Sequence, residues 1–280
     1  MKTRFAPSPT GHLHLGHAFA ALNAYAKAAG DEFVLRIEDI DRTRCRAEFE
    51  LAIFEDLNWL GLSWRQPVRR QSQHYDDYAA ALALLERRGL LYPCFCTRKA
   101  IAADIARAAG APHGPEGALY PGICRALPEA ERAARMAGEA YALRLDLGKA
   151  LAQIGHGLWF QEQGRGPGGE RGRIMAQPEP MGDVVLARKD LPASYHLAVV
   201  VDDALQGIEL VTRGEDLFHA THIQRVLQEL LGLPTPGYAH HRLILDEQGR
   251  KFSKRNQAVT LRALRAAGVT PAEIRNRIGW

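Results

Sequence analysis

Thr3-Arg4-Phe5-Ala6-Pro7-Ser8-Pro9-Thr10-Gly11-His12-Leu13-His14-Leu15-Gly16-His17 is the stretch whose reading decides the fold. Thr3 to Ala6 is extended. Pro7 and Pro9 cannot donate to a strand ladder, so they take the chain off a sheet. Gly11 and Gly16 let backbone approach backbone or ligand closely. The alanine-rich run Ala18 to Ala29, closed by Gly30, predicts a helix. Strand, tight turn and helix in that order leave a helix N-terminus with unpaired N–H groups and partial positive charge. Such an end is a ready anion seat. His14 and His17 front it, which suits a nucleotide phosphate.

Working outward, Phe33, Leu35 and Ile37 share one face of a second strand, and Val34, Arg36 and Glu38 share the other. Glu38 falls at the carboxyl end, where open α/β sheets bind ligands. Arg36 reads either as a site residue or as the partner of a neighbouring carboxylate. Arg46 to Leu60 reads as a helix, with Phe49, Ile53, Leu57 and Leu60 at helical spacing and Gly61 beyond. Gln73 to Arg88 reads as another, closed by Gly89. Alternating strands and helices predict an α/β fold with a parallel sheet.

The 280 residues leave room for a large core and one or two domains. Hydrophobic residues make up 46% and charged residues 24%, the balance of a globular protein. A net charge of +4 permits a nucleic-acid partner without demanding one. No apolar run is long enough to span a bilayer, and no signal-peptide core follows the N-terminus. Four cysteines are too few for a disulfide scaffold. A cytoplasmic protein is expected.

Cys94-Phe95-Cys96 is followed by Tyr120 and Cys124 across a turn-rich segment that includes His113. Three thiols so spaced can hold a tetrahedral metal if a fourth donor is found. The spacing alone leaves metal site and free core thiols open, with Tyr120 and His113 as candidate fourth donors. Cys45, between Arg44 and Arg46, stands apart. Tyr141 to Asp146 alternates like a strand. Gly164 to Arg173 reads as a mobile basic loop, either touching an RNA backbone or simply solvated. Val184 to Arg188 is expected to resume the main sheet. The apolar run Tyr195 to Asp203 reads as a strand covered on both faces. Ile208 to Val211 and His241 to Leu245 read as further strands, Thr221 to Leu231 as a helix, and Thr260 to Trp280 as two short helices.

The opening string resembles the extended His-x-Gly-His signature of class I aminoacyl-tRNA synthetases in the form used by the glutamyl/glutaminyl branch, and Arg36-Ile37-Glu38-Asp39-Ile40-Asp41 resembles the same branch. Lys251-Phe252-Ser253-Lys254-Arg255 resembles that class's second signature, with Phe252 and Arg255 departing from it. The resemblance implies a Rossmann-like parallel sheet in two halves, 1–90 and 184–250, around an insertion at 91–183, followed by a loop and short helices at 251–280. It implies ATP with Mg²⁺, held by Pro7, Thr10, Gly11, His14, Gly16, His17, Lys251, Ser253 and Lys254, with His14, His17 and Lys254 catalytic. It implies L-glutamate, held by Arg4, Ala6, Ser8, Glu38, Tyr195 and Arg213. An acidic side chain calls for a guanidinium.

The Cys-x-Cys…Tyr-x-x-x-Cys string resembles a zinc site of short glutamyl-type synthetases, which implies one structural Zn²⁺ on Cys94, Cys96, Tyr120 and Cys124. About two dozen residues follow the second signature, where a glutamyl-tRNA synthetase carries an anticodon-binding region. On that ground the chain resembles the glutamyl-queuosine tRNA(Asp) synthetases, which activate glutamate without tRNA and esterify queuosine at the wobble position of tRNA(Asp). The alternative is a truncated glutamyl-tRNA synthetase that charges a 3′ end. A monomer is expected, with Arg165, Arg171, Arg173, Arg262, Arg265, Arg275 and Arg277 available to an RNA stem.

Overall fold

The computed structural model describes residues 1–28, 32–97, 99, 101, 113–114, 117–245 and 259–280. Its first half alternates strand and helix. Strand β1 is Thr3–Phe5, helix α1 Leu15–Lys27, β2 Phe33–Ile37, α2 Ala47–Trp59, β3 Arg65–Arg70 and α3 Tyr75–Arg87. Then come β4 Leu91–Cys94, the short β5 His113–Gly114 and β6 Gly117–Ala118, α4 Glu129–Gly138, β7 Ala142–Leu145 and α5 Leu147–Ile154. The second half holds β8 Trp159–Glu162, β9 Gly172–Met175, β10 Val185–Arg188, α6 Tyr195–Leu205, β11 Leu210–Gly214, α7 Ala220–Leu231, β12 Gly237–His241, α8 Leu261–Ala266 and α9 Pro271–Ile278.

The large sheet has the order β3-β2-β1-β11-β12-β8-β9. Every pairing in it is parallel except β8 with β9. The first five strands follow the doubly wound arrangement, whose strand order reverses between β1 and β11; ligands bind outside the carboxyl ends at that point. Strand β2 shows the two-faced covering that its alternation predicts. Phe33, Leu35 and Ile37 pack with Phe19 and Leu22 of α1 and Ile53 and Leu57 of α2. Val34 packs on the opposite face with Val211 and Tyr238. The C-terminal helices close the first core through Leu261, Leu264, Ile274 and Ile278.

Four expectations are corrected. Tyr195–Leu205 is a helix, not a strand. Its residues His196 to Asp203 are buried, so no exposed polar stripe marks helical periodicity, and a helix buried all round reads like a buried strand. Val185–Arg188 does not resume the large sheet; it pairs antiparallel with β7 in the three-stranded sheet β10-β7-β4. Gly164 to Arg173 is not a free loop: it is the turn of the β8–β9 hairpin and the start of β9, tied down by Arg165 N–H to the His240 carbonyl, and β8 joins the large sheet by pairing Glu162 with Tyr238. The last strand also lies four residues earlier than expected, at Gly237–His241.

Candidate active site

The turn between β1 and α1 is tied down by backbone. Glu38 N–H donates to the Pro7 carbonyl at 3.0 Å, and Arg46 N–H to that of Pro9 at 3.0 Å. Thr10 N–H donates to the Ser8 carbonyl at 2.8 Å, with Gly11 following in a bend. Helix α1 starts at Leu15, three residues before the expected Ala18, which makes His14 its N-cap and His17 part of its first turn. Gly16 N–H donates to His14 Nδ1 at 3.1 Å and His14 N–H donates to His17 Nδ1 at 3.2 Å. The two rings lie 3.8 Å apart. Both Nδ1 atoms are acceptors, so each neutral ring carries its proton on Nε2. A Cβ on Gly16 would sit 3.1 Å from the His14 ring, which explains glycine there.

Lys251, Ser253 and Lys254 lie outside the described residues. The chain just past them is placed: Thr260 bridges His14, and Leu261 N–H donates to the Leu13 carbonyl at 2.8 Å. The segment that follows the second signature is therefore bound to the first.

A cavity of about 190 Å³ lies at the reversal point, lined by Arg4, Ala6, Glu38, Tyr195, Thr212 and Arg213 among others. A second, of about 610 Å³, shares Glu38 and Tyr195 with it, takes in Ser8, and extends to Cys94, Cys96 and Arg144. All six residues expected to hold glutamate thus line one or other of two neighbouring cavities, five of them the smaller and Ser8 the larger.

On one side, Arg4 Nε donates to Asp203 at 3.2 Å and its Nη1 to the Thr212 carbonyl at 3.0 Å. Arg36 is fully buried and donates to Asp203 at 2.8 Å, Gln206 at 2.9 Å and Glu38 at 3.3 Å, with Asp202 at 3.6 Å. Arg36 therefore has the structural role weighed for it: it neutralises carboxylates. Burial opposes its charge, but Asp203, Glu38 and Asp202 overcome this and raise its pKa. Burial would raise Asp203 too, yet Arg4 and Arg36 hold it below the usual carboxylate range. Glu38 is pushed up by burial, against the pull of Arg36 and Arg4. Beneath them Asp202 accepts from Arg69 at 2.7 Å, Gln71 at 2.7 Å and Tyr78 at 3.0 Å.

On the other side, Arg213 has no carboxylate partner among the described residues. Its Nε donates to His240 Nε2 at 3.1 Å, Nη1 to Gln224 at 2.8 Å and the Tyr195 hydroxyl at 3.2 Å, and Nη2 to Thr221 at 2.7 Å. Asp202, Asp203, His240 and Glu162 were not expected from the sequence. They sit far along the chain from the arginines they serve, with no local spacing to flag them; Gly164, read as part of a loop, is where the backbone passes the His240 carbonyl too closely for a Cβ, which would lie 2.2 Å from its oxygen.

The Sγ atoms of Cys94, Cys96 and Cys124 lie within 4.8 Å of one another. Tyr120 joins them, its hydroxyl 3.7 Å from Cys96 Sγ and accepting from Cys124 N–H at 2.8 Å. Sulfur ligands about 2.3 Å from a shared Zn²⁺ would stand on the order of 3.8 Å apart, so this set fits a metal. Arg144 stacks 3.9 Å over the Tyr120 ring. Cys45 lies apart from the group, as expected. Of His113 only the backbone is described. Of the candidate RNA arginines, Arg173 stacks on Trp159, while Arg265 and Arg275 tie the C-terminal helices to Glu55 and the Leu60 carbonyl. Among the described residues, no helix is long and apolar enough to cross a membrane.

The family model for the catalytic domain of class I tRNA synthetases of the glutamate and glutamine type matches residues 1–280. The chain belongs to that family. Among curated proteins it is 50% identical to a glutamyl-Q tRNA(Asp) synthetase of Rhodobacter capsulatus, over all of both chains. It is 46% identical to one of Nocardia farcinica, over 97% of this chain and 81% of that one. Among solved structures it resembles a glutamate tRNA ligase of Elizabethkingia meningosepticum in complex with its amino acid, with a TM-score of 0.72 and 29% identity over 91% of this chain. This chain spans about half of that one, 52% of its length.

Proposed function

We propose that this synthetase activates L-glutamate with ATP, without needing tRNA, and transfers it to the queuosine base at the wobble position of tRNA(Asp). The observation that carries the glutamate part is Arg213. Among the described residues its buried cation touches only neutral partners beside a small cavity, and a buried charge calls for a counterion within reach. A substrate carboxylate supplies one, in the planar geometry that guanidinium favours. Across the cavity Glu38 offers an acceptor for the α-ammonium group, and Tyr195 and Ser8 add neutral hydrogen bonds. Arg4, anchored on Asp203, serves as the second substrate arginine.

His14 and His17 present Nε2–H donors at the α1 N-terminus, where a triphosphate gains from both hydrogen bonds and helix polarity. Pro7, Thr10, Gly11 and Gly16 shape that turn. Mg²⁺ accompanies ATP and screens its charge. Lys254, with Lys251 and Ser253, stabilises the charge that develops as pyrophosphate leaves; the chemistry is positioning and electrostatics, with no enzyme nucleophile. Lys254→Ala should cost about 2.7–4 kcal/mol of transition-state stabilisation.

The 610 Å³ cavity beside the glutamate pocket is the approach for the acceptor base, since an unstacked loop base can be read on its edges and faces. The names of the full-length relatives support queuosine as that acceptor. Cys94, Cys96, Cys124 and Tyr120 hold one structural Zn²⁺, which closes the knuckle beside this cavity. In this reading the catalytic domain still surrounds an insertion that begins near residue 91, but 183 does not divide them cleanly: β8 and β9 belong to the large sheet and Val185–Arg188 to the small sheet with β4 and β7, and 251–280 follows the catalytic domain.

The test is glutamate-dependent ATP–pyrophosphate exchange with no tRNA present, followed by transfer of labelled glutamate to tRNA(Asp) with and without queuosine. Exchange without tRNA and labelling of the queuosine form alone are expected. Equal labelling of queuosine-free tRNA(Glu) returns the chain to ordinary aminoacylation. Metal analysis of protein purified without chelator should find one zinc per chain, and its absence sinks the metal assignment.

A further inference from the structure

Behind Arg213 lies a buried relay. His240 Nδ1 and Glu162 Oε2 are 2.6 Å apart. The other carboxylate oxygen of Glu162 accepts from His240 N–H at 2.9 Å and Gly164 N–H at 2.8 Å. Glu162 and His240 are 1% and 3% exposed. Arg213 can only donate, so His240 Nε2 must accept, and the ring proton must sit on Nδ1, facing Glu162. The relay thus fixes a tautomer. Burial holds His240 below its usual pKa, with Arg213 pushing the same way against Glu162. Glu162 is held ionised: its burial is outweighed by its bonds to His240.

With a neutral imidazole between them, Glu162 balances the buried guanidinium at one remove. Arg213 keeps its charge for a ligand, whereas carboxylates in direct contact would spend that charge within the protein, as Asp202 and Asp203 do for Arg36. Four of the guanidinium's five N–H donors are matched by His240, Gln224, Tyr195 and Thr221, so its plane is fixed before any ligand arrives. Gly164 makes the relay possible, because any side chain there would collide with the His240 backbone.

We infer that Glu162 and His240 are positioning residues, which orient Arg213 toward the side-chain carboxylate of glutamate and leave its charge unspent. This rests on Arg213 as the seat of that carboxylate. Pyrophosphate exchange separates the two claims. Loss of the relay should raise KM for glutamate about 10- to 100-fold, the scale of a charge-assisted hydrogen bond, while kcat changes less than about threefold and KM for ATP stays put. His240→Leu and Glu162→Gln should both show this. His240→Gln, whose amide oxygen can accept from Arg213, should recover most of the wild-type KM, which a purely structural role would not produce. If Glu162→Gln fails to fold, the His240 pair alone decides. ¹⁵N-histidine NMR of the wild-type protein should find His240 protonated on Nδ1 and bare on Nε2.

A glutamate KM within twofold of wild type in His240→Leu, or a protonated Nε2, overturns the relay. A wild-type chain with no glutamate-dependent exchange, or an Arg213→Met variant with normal glutamate KM, overturns the functional reading instead.

Discussion

Two arginine clusters flank the same small cavity and are neutralised differently. On the β1–β2 side, Arg4 and Arg36 share Asp203, and Arg36 also meets Asp202 and Glu38. On the β11–β12 side, Arg213 meets a hydroxyl, an amide, a second hydroxyl and an imidazole. The first cluster is closed, with its charges satisfied in the folded chain. The second is open: among the described residues no carboxylate touches its guanidinium, and Glu162 reaches it only through His240. Closed clusters hold a fold together, and open ones hold a ligand. In the proposed reading the two sides divide the work: the rigid side would fix the ammonium contact and the open side would supply affinity for the side-chain carboxylate.

The largest effect should come from breaking the closed side. Asp203→Ala leaves two buried guanidinium groups short of their carboxylate, a loss of about 3–5 kcal/mol. At about 2–4 °C per kcal/mol for a chain of this size, the melting temperature should fall on the order of 10 °C. A change within 2 °C would mean that Asp203 is not the bridge between Arg4 and Arg36.

Breaking the open side should spare the fold and strike binding. Arg213→Met removes one partner of a buried charge contact, worth about 2–5 kcal/mol in kcat/KM for glutamate. Its neutral partners lose one hydrogen bond each, so the melting temperature should move far less than in Asp203→Ala. Exchange kinetics and thermal melts on the same preparations decide. If Arg213→Met melts as low as Asp203→Ala, the distinction between open and closed sides fails.

Acid should also separate the clusters. His222 lies beside the open side, with Phe218 between it and His240. Burial lowers its pKa from 6.5 to about 4, with His219 and His240 pushing the same way and Glu170 and Glu179 opposing. Its Nδ1 accepts from Gln177 N–H at 3.1 Å. Above pH 6.5 it is neutral folded or unfolded. As pH falls from 6.5 toward 4 the unfolded chain alone takes the proton, and stability drops by about 2 kcal/mol after allowance for solvent screening. Asp203 is depressed from 3.8, so its contribution holds above that value and is lost only as pH falls further, through its folded pKa. Asp56 opposes the His222 limb: burial raises it from 3.8 to about 6, so over that window the folded chain takes its proton first and gains stability as pH falls. The first limb is therefore read as the difference in denaturant midpoint between wild type and His222→Asn, which should change as pH falls from 6.5 toward 4, with the Asp203 loss following at lower pH. A difference that stays constant over that window would remove His222 from the effect.

What the sequence disclosed follows the same division. The turn from Arg4 to His17 was legible because its determinants are local: two prolines, two glycines and a helix start. Strand β2 was legible through the alternation of Phe33, Val34, Leu35, Arg36 and Ile37. Cys94, Cys96, Tyr120 and Cys124 were grouped by spacing and resemblance, and the fold does bring them together. The partners of the arginines were not legible. Asp203 reaches Arg4 across 199 residues and His240 reaches Glu162 across 78, distances over which no periodicity carries. The strand neighbours of β8 and β10 were hidden for the same reason, since pairing is chosen by tertiary packing.

Helix α6 serves both clusters and gives the smallest expected effect. Tyr195 at its start meets Arg213, while Asp202 and Asp203 two turns later meet Arg36 and Arg4. Its N-cap is Ser194, whose Oγ accepts from Leu197 N–H at 3.4 Å. A serine at that position favours a helix start, a signal that the strand reading of the run passed over. Ser194→Ala should cost about 1 kcal/mol of stability. The loss is at the first turn, beside Tyr195, and far from Asp203. The glutamate KM should therefore rise by a few-fold at most through Tyr195, while the Arg4–Asp203 contact, read from the low-pH limb of the stability curve, stays as in the wild type. Should Ser194→Ala shift that limb as much as it shifts the glutamate KM, α6 moves as one rigid rod, and the two clusters are coupled through it.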